Sequence, residues 1–400
     1  MPLFVLRMIS RPKLTFFAAL LGAVVLITGP GELQAQSRAG DDSGYPFSWS
    51  GVTTYMVVVN SDGTSDYQSF AELTARLNQS PFRGHGIEAL VVSAAMTELS
   101  LASASAGESE GSEKCAIAGK ELDVTIGGAT GFKDLIAASH SLGMRVALFE
   151  GGENWCGAED AIAFNALREQ TGVDGIIVNL AASEAGNDMA ALRKADTEDD
   201  RLWIGAVFED AEQIDTFEGM LWVDAAMNKS WVLPRESDDL ALRNQFSRSV
   251  EFAVNHPDVS NIGMMSGTES FTINDLNSLL LQPGVIALHD GQVASDPATM
   301  EHWRILGSFR DKHPAIGEGA HEDISNDPYM FYRGLRIGPD VDEVLVVLGA
   351  SGKVRLKVSL VFDDDTILRD AYTGKIAMVS YGQILLPAHE NGVMLLEEVK

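Results

Sequence analysis

Eight short, almost uniformly apolar segments, separated by amphipathic stretches, constrain the fold of this chain more than any other feature. Apolar runs without alternation are typical of parallel strands that are buried on both faces. Parallel strands need crossover connections, which are usually helices, so the pattern predicts an α/β fold. The eight segments are Thr53–Asn60, Ile87–Ala94, Arg145–Glu150, Gly175–Leu180, Leu202–Phe208, Gly219–Val223, Ser260–Met265 and Val285–His289.

Helical patterns lie between these segments. The clearest is Thr130–Leu142, with Thr130 as its expected N-cap and Gly143 as its stop. Strands and helices in this order predict a (β/α)₈ TIM barrel over residues 49–317. A doubly wound sheet is the alternative, because the connection after Phe208 is short and its helix is weak. The other helical segments are Tyr67–Leu77, Ala158–Glu169, Asp188–Lys194, Asp238–Val254, Ile273–Leu281 and Glu301–Arg310.

The pattern changes in the last part of the chain. Apolar and polar side chains alternate over Val354–Leu360, which is typical of antiparallel strands with one solvated face. Residues 318–400 are therefore expected to form a small antiparallel β-sandwich domain. Turn dipeptides divide it at Ser351-Gly352, Thr373-Gly374 and Asn391-Gly392.

Residues 1–35 have the features of a secretory signal peptide. Basic residues precede the apolar run Leu14–Thr28, and the small residue Ala35 marks a cleavage position. These features predict a secreted or periplasmic protein, with residues 36–48 as a linker. The alternative is an uncleaved signal anchor; without one, no stable membrane insertion is expected.

The charge of the chain excludes two classes of partner. The sequence has 57 acidic and 29 basic residues, a formal net charge of −28. Binding to nucleic acid or to an anionic membrane surface needs positive charge, so neither is expected. The sequence contains no phosphate-binding loop, nucleophile elbow or zinc-protease motif, and therefore predicts no cofactor and no metal.

The chain has two cysteines, Cys115 and Cys156, which is too few for a disulfide scaffold or a cysteine-rich zinc module. They follow the second and third predicted strands, whose loops meet at the same rim of a barrel. An oxidising compartment would allow them to pair. They are the candidate disulfide.

Several segments, in chain order, resemble segments of the α-amylases. On this basis the chain is identified as a member of the α-amylase superfamily, similar to glycoside hydrolase family 13. The resemblance implies a TIM barrel with a C-terminal β domain and an α-glucan ligand. The matching segments are Ser61–Asp66, Gly86–Leu90, Phe132–Val146, Thr171–Gly175, Gln282–Val285 and Phe309–Ala315.

The resemblance also implies where catalytic groups belong, and this chain lacks them. The family uses a carboxylate nucleophile after strand four, a carboxylic acid after strand five and a third carboxylate after strand seven. The matching positions are Asn179, Ala206 and Gly267. A neutral amide forms no glycosyl ester, and neither alanine nor glycine has a proton to give. The resemblance therefore implies a degenerate member without hydrolytic activity.

The domain B of that family is also missing from the sequence. It normally interrupts the barrel between strands three and four. Here the helix Ala158–Glu169 fills most of the interval between Glu150 and Asp174. The predicted barrel mouth is therefore open and shallow.

Displaced carboxylates are the enzymatic alternative. Glu209, Asp224 and Glu150 lie near predicted strand ends, and two of them at the mouth would make an active retaining α-glucan hydrolase or transglycosylase. Side chains alternate along a strand, so Glu209 faces away from Ala206 in this interpretation, whereas Asp210 shares its parity.

Binding without catalysis is the main functional hypothesis. Trp155, in the loop after strand three, is the candidate platform for a sugar ring, and Glu153 and Asp224 are the candidate hydrogen-bond acceptors. The strongly negative charge repels anionic ligands, so a neutral oligosaccharide, an α-glucan, is expected. A protein partner is the other possibility. The sequence thus predicts an exported α-amylase-like protein of carbohydrate metabolism that binds rather than hydrolyses.

Overall fold

A computed structural model describes residues 49–63, 65–98, 115–150, 155–180, 189–196, 202–208, 223–232, 260–264, 271–291 and 295–399. Eight parallel strands form a ring in which each strand pairs with two neighbours. The ring strands are β1 (Thr53–Val59), β2 (Ala89–Ala94), β5 (Arg145–Glu150), β6 (Gly175–Asn179), β7 (Trp203–Phe208), β8 (Ala225–Val232), β9 (Ser260–Met264) and β10 (Val285–His289). A hairpin of β3 (Met96–Glu98) and β4 (Lys120–Leu122) lies between β2 and β5.

The first strand closes the ring. Thr54 of β1 pairs with Ala89 of β2 on one side and with Ala287 of β10 on the other. Such a closed ring excludes the doubly wound sheet, which has two open edges. Most of the connections after β7 and β8, including the predicted helix Asp238–Val254, lies outside the described residues.

Six helices are described around and after the ring. They are α1 (Phe70–Arg76), α2 (Gly128–His140), α3 (Ala158–Thr171), α4 (Ile273–Leu280), α5 (Pro297–Lys312) and α6 (Pro314–Glu318). The predicted segment Asp188–Lys194 corresponds to a 3₁₀ helix, Met189–Ala195. Among the described residues, no helix combines the length and the apolar content needed to cross a membrane.

Side-chain caps explain where several helices begin. The Ser69 hydroxyl accepts the Glu72 amide at the start of α1, and Thr272 with Asp275 forms a capping box on α4. The predicted N-cap of α2, Thr130, is wrong. That helix begins two residues earlier, after Gly127, whose φ of 115° favours glycine.

Side chains of the ring strands alternate between two cores. The inner core fills the barrel, and the outer core lies between the strands and the helices. At the amino end of the barrel, Trp203 of the inner core stacks on Trp49 with ring centroids 4.4 Å apart. The inner core consists of Met56, Val91, Ala147, Ile177, Trp203, Val207, Ala225, Val285 and Ala287.

The prediction for the sixth barrel strand is wrong. The strand is Ala225–Val232, not Gly219–Val223, and Val223 and Asp224 precede it. The true strand contains Asn228 and Lys229, so it does not stand out as an apolar run. Asp224, which the prediction placed just after the end of a strand, therefore lies just before the start of one.

The C-terminal region contains two antiparallel sheets. Six strands pair in the order β11-β12-β13-β18-β15-β16, and β14 pairs with β17. Leu345 and Leu396 of the larger sheet share a buried core with Leu356 and Leu386 of the smaller one. The strands are β11 (Ala320–Asn326), β12 (Tyr329–Ile337), β13 (Asp340–Leu348), β14 (Lys353–Lys357), β15 (Ile367–Asp370), β16 (Ile376–Met378), β17 (Gln383–Pro387) and β18 (Met394–Glu398).

The outer core continues from the barrel into the larger C-terminal sheet. Phe331, Val344 and Leu395 of that sheet belong to the same buried cluster as Trp303 and Phe309 of α5. One face of the sheet therefore packs on the barrel, and its other face packs on the small sheet.

Candidate functional site

The carboxyl ends of the eight parallel strands define the mouth of the barrel, where barrel enzymes build their sites. Phe149 and Val207 belong to, or pack against, the inner core at this end. Asn179 lies two residues beyond Ile177, and His289 two residues beyond Ala287, so both share the inward face. We call Phe149, Asn179, Val207 and His289 the mouth ring.

The mouth ring contains no carboxyl group. Asn179 pairs directly with Val207 across β6 and β7, so a neutral amide stands beside an apolar side chain. Burial lowers the pKa of His289, which favours its neutral form. Retaining glycoside hydrolysis needs two carboxyl groups about 5–5.5 Å apart. The ring offers a hydrogen-bonding amide, an imidazole and a phenyl face instead.

The structure corrects the face assigned to Ala206. This residue lies in the outer core, while its neighbour Val207 lies in the inner core. The inward position at the acid/base level is therefore Val207, which has no proton to give either. Glu209 and Asp210 follow the last residue of β7, Phe208, and lie outside the described residues.

Three predicted site residues lie outside the described part of the chain. They are the degenerate position Gly267, the proposed hydrogen-bond acceptor Glu153 and the alternative acid Glu209.

Asp224 lies at the opposite end of the barrel from the mouth, so its prediction as a mouth acid and as a sugar-binding residue is wrong. It precedes β8, and its Oδ2 atom accepts the Ile204 amide at 2.8 Å, near the start of β7. The same oxygen lies 2.5 Å from Arg193 Nη2. Asp224 therefore joins connections at the amino ends of the strands.

Trp155 is buried, so its prediction as a sugar platform is also wrong. Only 2% of the residue is exposed, and it belongs to the outer core with Phe164 of α3. Its indole Nε1 finds no acceptor among the residues that the structure describes. Stacking on a sugar needs an open aromatic face, and Trp155 has none.

Glu150 lies at the carboxyl end of β5 but does not share the inward face. Its neighbour Phe149 contacts the inner core, and its cross-strand partner Val178 belongs to the outer core. The carboxyl group therefore projects from the helix side of the strand. The structure does not place it in the mouth ring.

Cys115 and Cys156 form a disulfide between the loops after β2 and β5, with Cα atoms 5.3 Å apart. Asp160, fully buried in the first turn of α3, reinforces this connection. Its two carboxylate oxygens accept the amides of Ile117, Ala118 and Cys156, each at 2.6 Å, and that of Ala116 at 3.2 Å.

The same three side chains form the one group with metal-ligand spacing among the described residues. Sγ of Cys115, Sγ of Cys156 and a carboxylate oxygen of Asp160 lie within 4.8 Å of one another. Both sulfurs are bonded to each other, and the carboxylate already accepts four amides. The cluster therefore fits a structural link rather than a metal centre.

A polar cluster at the mouth contains Asp290, an acid that the sequence places near the end of the eighth strand, together with Asp66. Asp290, just after β10, accepts the Tyr55 hydroxyl at 2.6 Å, and Asp66 accepts the Val58 amide at 2.7 Å. Burial raises the pKa of Asp66, and the charge of Asp290 adds to this effect. Burial also raises the pKa of the Tyr55 hydroxyl, and the negative charge of Asp290 raises it further. These contacts fix the loop after β1 against the end of β10.

Comparison with known proteins places this architecture. No protein-family model and no curated protein matches the chain. An Anoxybacillus α-amylase superposes with a TM-score of 0.63 at 12% identity, covering 88% of this chain and 99% of the other. The Geobacillus thermoleovorans α-amylase, solved with acarbose, gives a TM-score of 0.66 at 12% identity, with 88% and 99% covered.

A third solved structure, AmyP in complex with maltose, superposes with a TM-score of 0.58 at 14% identity. The superposition covers 86% of this chain and 96% of the other. All three superpositions extend over the barrel and the C-terminal sheets. The chain therefore has the fold of the α-amylases, the glycoside hydrolases of family 13.

Proposed function

We propose that this protein belongs to α-glucan metabolism and binds a neutral glucan without hydrolysing it. The observation that carries the proposal is Asn179, which faces the inner side of the barrel at the end of β6. The resemblance to α-amylases assigns the nucleophile to this position. An amide there forms no covalent glycosyl ester, and its neighbour Val207 offers no acid.

The mouth ring supplies the groups for such binding. Phe149 is half-buried at the mouth and presents an aromatic surface on which a sugar ring can stack. The Asn179 amide and the neutral His289 imidazole match sugar hydroxyls as donors or acceptors. A neutral ligand is not repelled by a net charge of −28. Maltose and acarbose in the structural neighbours support an α-glucan as ligand.

Isothermal calorimetry with maltoheptaose tests the binding site. We expect a dissociation constant on the order of 0.1–1 mM, as for a shallow site with one stacking residue. Phe149→Ala should weaken binding by about tenfold or more, because the stacking surface is lost. The control is Ile162→Ala on the exposed side of α3, 64% exposed, which should bind as the unchanged protein does.

The calorimetric outcomes separate the two binding hypotheses. Equal binding by Phe149→Ala and the unchanged protein would contradict the assignment of the mouth ring as the glucan-binding site. No binding by either protein would favour a protein partner over a glucan.

Catalysis by a displaced carboxylate is the second candidate. The observation that favours it is the position of Glu209 in the sequence, directly after β7 and thus after the carboxyl end of a barrel strand. Reducing-end assays on starch and maltoheptaose decide between the candidates. We expect no release above a heat-denatured control. Turnover that Glu209→Gln abolishes would establish the enzyme instead.

Export through the signal peptide of residues 1–35 is part of this proposal. The disulfide between Cys115 and Cys156 supports it, because disulfides persist in oxidising compartments. Expression with the native N-terminus, followed by mass spectrometry of the culture fractions, provides the test. We expect a mature chain that begins at Gln36. A full-length chain in the membrane fraction would indicate an uncleaved anchor.

A further inference from the structure

Helix α5 connects the barrel to the C-terminal sheets through two histidines. His302 lies in its second turn, and His313 caps its end. Both are buried, with exposed fractions of 1% and 8%. Their hydrogen-bond partners differ in charge, and this difference determines the protonation state that each histidine needs.

Each ring nitrogen of His313 faces a carboxylate group. Its Nδ1 lies 2.7 Å from Asp342 Oδ1 on β13, and its Nε2 lies 2.5 Å from Glu397 Oε2 on β18. A carboxylate oxygen accepts hydrogen bonds, so both ring nitrogens must donate. Only the imidazolium carries a proton on both nitrogens. The contacts therefore require a charged His313.

Further groups hold the two carboxylates in place. The second oxygen of Asp342 accepts the Ala315 amide at 2.9 Å. Glu397 also accepts from Lys312 of α5 and from Arg369 of β15. On β12, the Arg333 guanidinium donates to the carbonyl groups of Ala315 and Ile316, the segment of α6 that follows His313.

These surroundings act on the pKa of both partners. Burial lowers the pKa of His313, but the hydrogen bonds to Asp342 and Glu397 outweigh it, and the pKa rises above its ordinary value. For Glu397, burial raises the pKa, but hydrogen bonds from His313, Lys312 and Arg369 prevail and bring it to about 2.

His302 has neutral partners. Its Nε2 donates to Asn277 Oδ1 of α4 at 3.1 Å, and its Nδ1 accepts the Tyr372 hydroxyl at 2.7 Å. The Asn391 amide also points at the Tyr372 oxygen, 2.5 Å away, and at Nδ1, 3.3 Å away. A proton on Nδ1 would face the Asn391 donor and would require the Tyr372 hydroxyl to turn from donor to acceptor.

The titratable groups around His302 do not compensate for a charge on it. His389 stacks on Tyr372 with ring centroids 4.9 Å apart, and the more distant Glu301 and Asp370 act on the Tyr372 hydroxyl. Burial lowers the pKa of His302, a backbone hydrogen bond with Ile273 opposes this, and the charge of His389 adds to the lowering; together they bring the pKa to about 4. His302 is therefore held neutral.

We propose that the junction between the barrel and the C-terminal sheets is a pH-sensitive clamp with two limits, set by an imidazolium at His313 and a neutral imidazole at His302. The contribution of His313 is complete below its ordinary pKa and is lost as pH rises through the raised value. The contribution of His302 is complete above its ordinary pKa and is lost as pH falls toward about 4. The clamp holds best between these limits.

Nitrogen NMR of the full chain, labelled with ¹⁵N-histidine, tests the charge states directly. At pH 6.5, the ordinary pKa of histidine, we expect His313 to show mostly two protonated ring nitrogens and His302 to show one. The variants His313→Gln and His302→Gln assign the signals. A singly protonated His313 at pH 6.5, or a doubly protonated His302, would overturn the proposal.

Hydrogen exchange tests whether the charge of His313 stabilises the junction between the barrel and the C-terminal sheets. After correction for the intrinsic rate, amides of α5 and β13 should exchange faster by up to about tenfold per pH unit between the ordinary pKa of histidine and the raised pKa of His313, and the rate should level off above it. His313→Gln should exchange faster at neutral pH and lose this rise. The control is His140→Gln on α2, whose ring lies 2.7 Å from Asp174 just before β6, and it should keep the rise.

An alkaline rise of equal size in His313→Gln would contradict the proposal, as would a flat profile in the unchanged protein. Should His313→Gln fail to fold, Asp342→Asn provides the same test. It leaves one ring nitrogen without its carboxylate, so the alkaline limit should shift to lower pH. An unshifted limit would count against the clamp.

Discussion

At the scale of single residues, Asp160 links the two loops that follow β2 and β5. Its carboxylate accepts four backbone amides from two loops and is fully buried. In Asp160→Asn, the amide nitrogen would face donors, so we expect a loss of about 2–4 kcal/mol in the free energy of unfolding. Urea unfolding measures it. The control Glu159→Gln, at the exposed neighbouring position, should change stability by less than about 0.5 kcal/mol.

Trp155 illustrates a residue whose role depends on burial. We expect Trp155→Ala to destabilise the fold by about 3–5 kcal/mol, because a large buried side chain leaves a cavity. Thermal and urea unfolding measure this loss, with Val124→Ala, 75% exposed, as the control. Weakened maltoheptaose binding in a fully stable Trp155→Ala protein would restore the sugar platform.

At the scale of elements, the disulfide connects the loops after β2 and β5. It closes an interval of 41 residues, so its removal in Cys115→Ser with Cys156→Ser should cost roughly 4 kcal/mol of stability in the chain-entropy model. Urea unfolding with and without a reductant provides the measurement. The reductant should destabilise the unchanged protein by a similar amount and leave the double variant unaffected. Equal stability under all four conditions would contradict the prediction.

Arg310 of α5 joins three elements at the amino end of the barrel. Its guanidinium donates to the carbonyl groups of Gly51, Leu280, Gln282 and Gly284. Lysine has no such fork of donors, so Arg310→Lys should lose about 2–4 kcal/mol of stability in urea unfolding.

The matched control lies on the same helix. Arg304 is half-exposed, and within the described part of the chain its ion pair is with Glu301 one turn away, so Arg304→Lys should change stability by less than about 0.5 kcal/mol. An equal effect of both substitutions would contradict the role assigned to Arg310.

The sequence allowed the fold to be predicted well where local pattern decides it. The strands Arg145–Glu150 and Val285–His289 were predicted with the bounds that the structure has. The strand Ala225–Val232 was missed, because Asn228 and Lys229 interrupt its apolar pattern. The neighbouring apolar run Gly219–Val223 was predicted as the strand instead.

The site was harder to predict, for a physical reason. The strand Trp203–Phe208 is apolar throughout, so its sequence does not show which face points inward. Register with Asn179 decides that Val207 faces inward and Ala206 outward. Burial of Trp155 likewise depends on packing between distant segments, which a loop sequence does not reveal.

At the scale of the whole molecule, an α-amylase fold retains its barrel and its C-terminal sheets while its mouth ring lacks carboxyl groups. Stability and chemistry are separate in such a barrel, because the inner and outer cores do not depend on the groups at the strand ends. The barrel persists with Asn179 where the resemblance assigns the nucleophile. The proposed function depends on what such a mouth binds.

Covalent trapping tests whether the barrel mouth lacks a carboxylate nucleophile. The protein is incubated with a 5-fluoro-α-glucosyl fluoride, which accumulates the glycosyl ester of a retaining α-glucosidase, and its intact mass is measured. An active α-amylase serves as the positive control. The account predicts an unchanged mass, because Asn179 offers an amide at the nucleophile position. A mass increase of one fluoroglucosyl group, located on a carboxylate by peptide mapping, would contradict it.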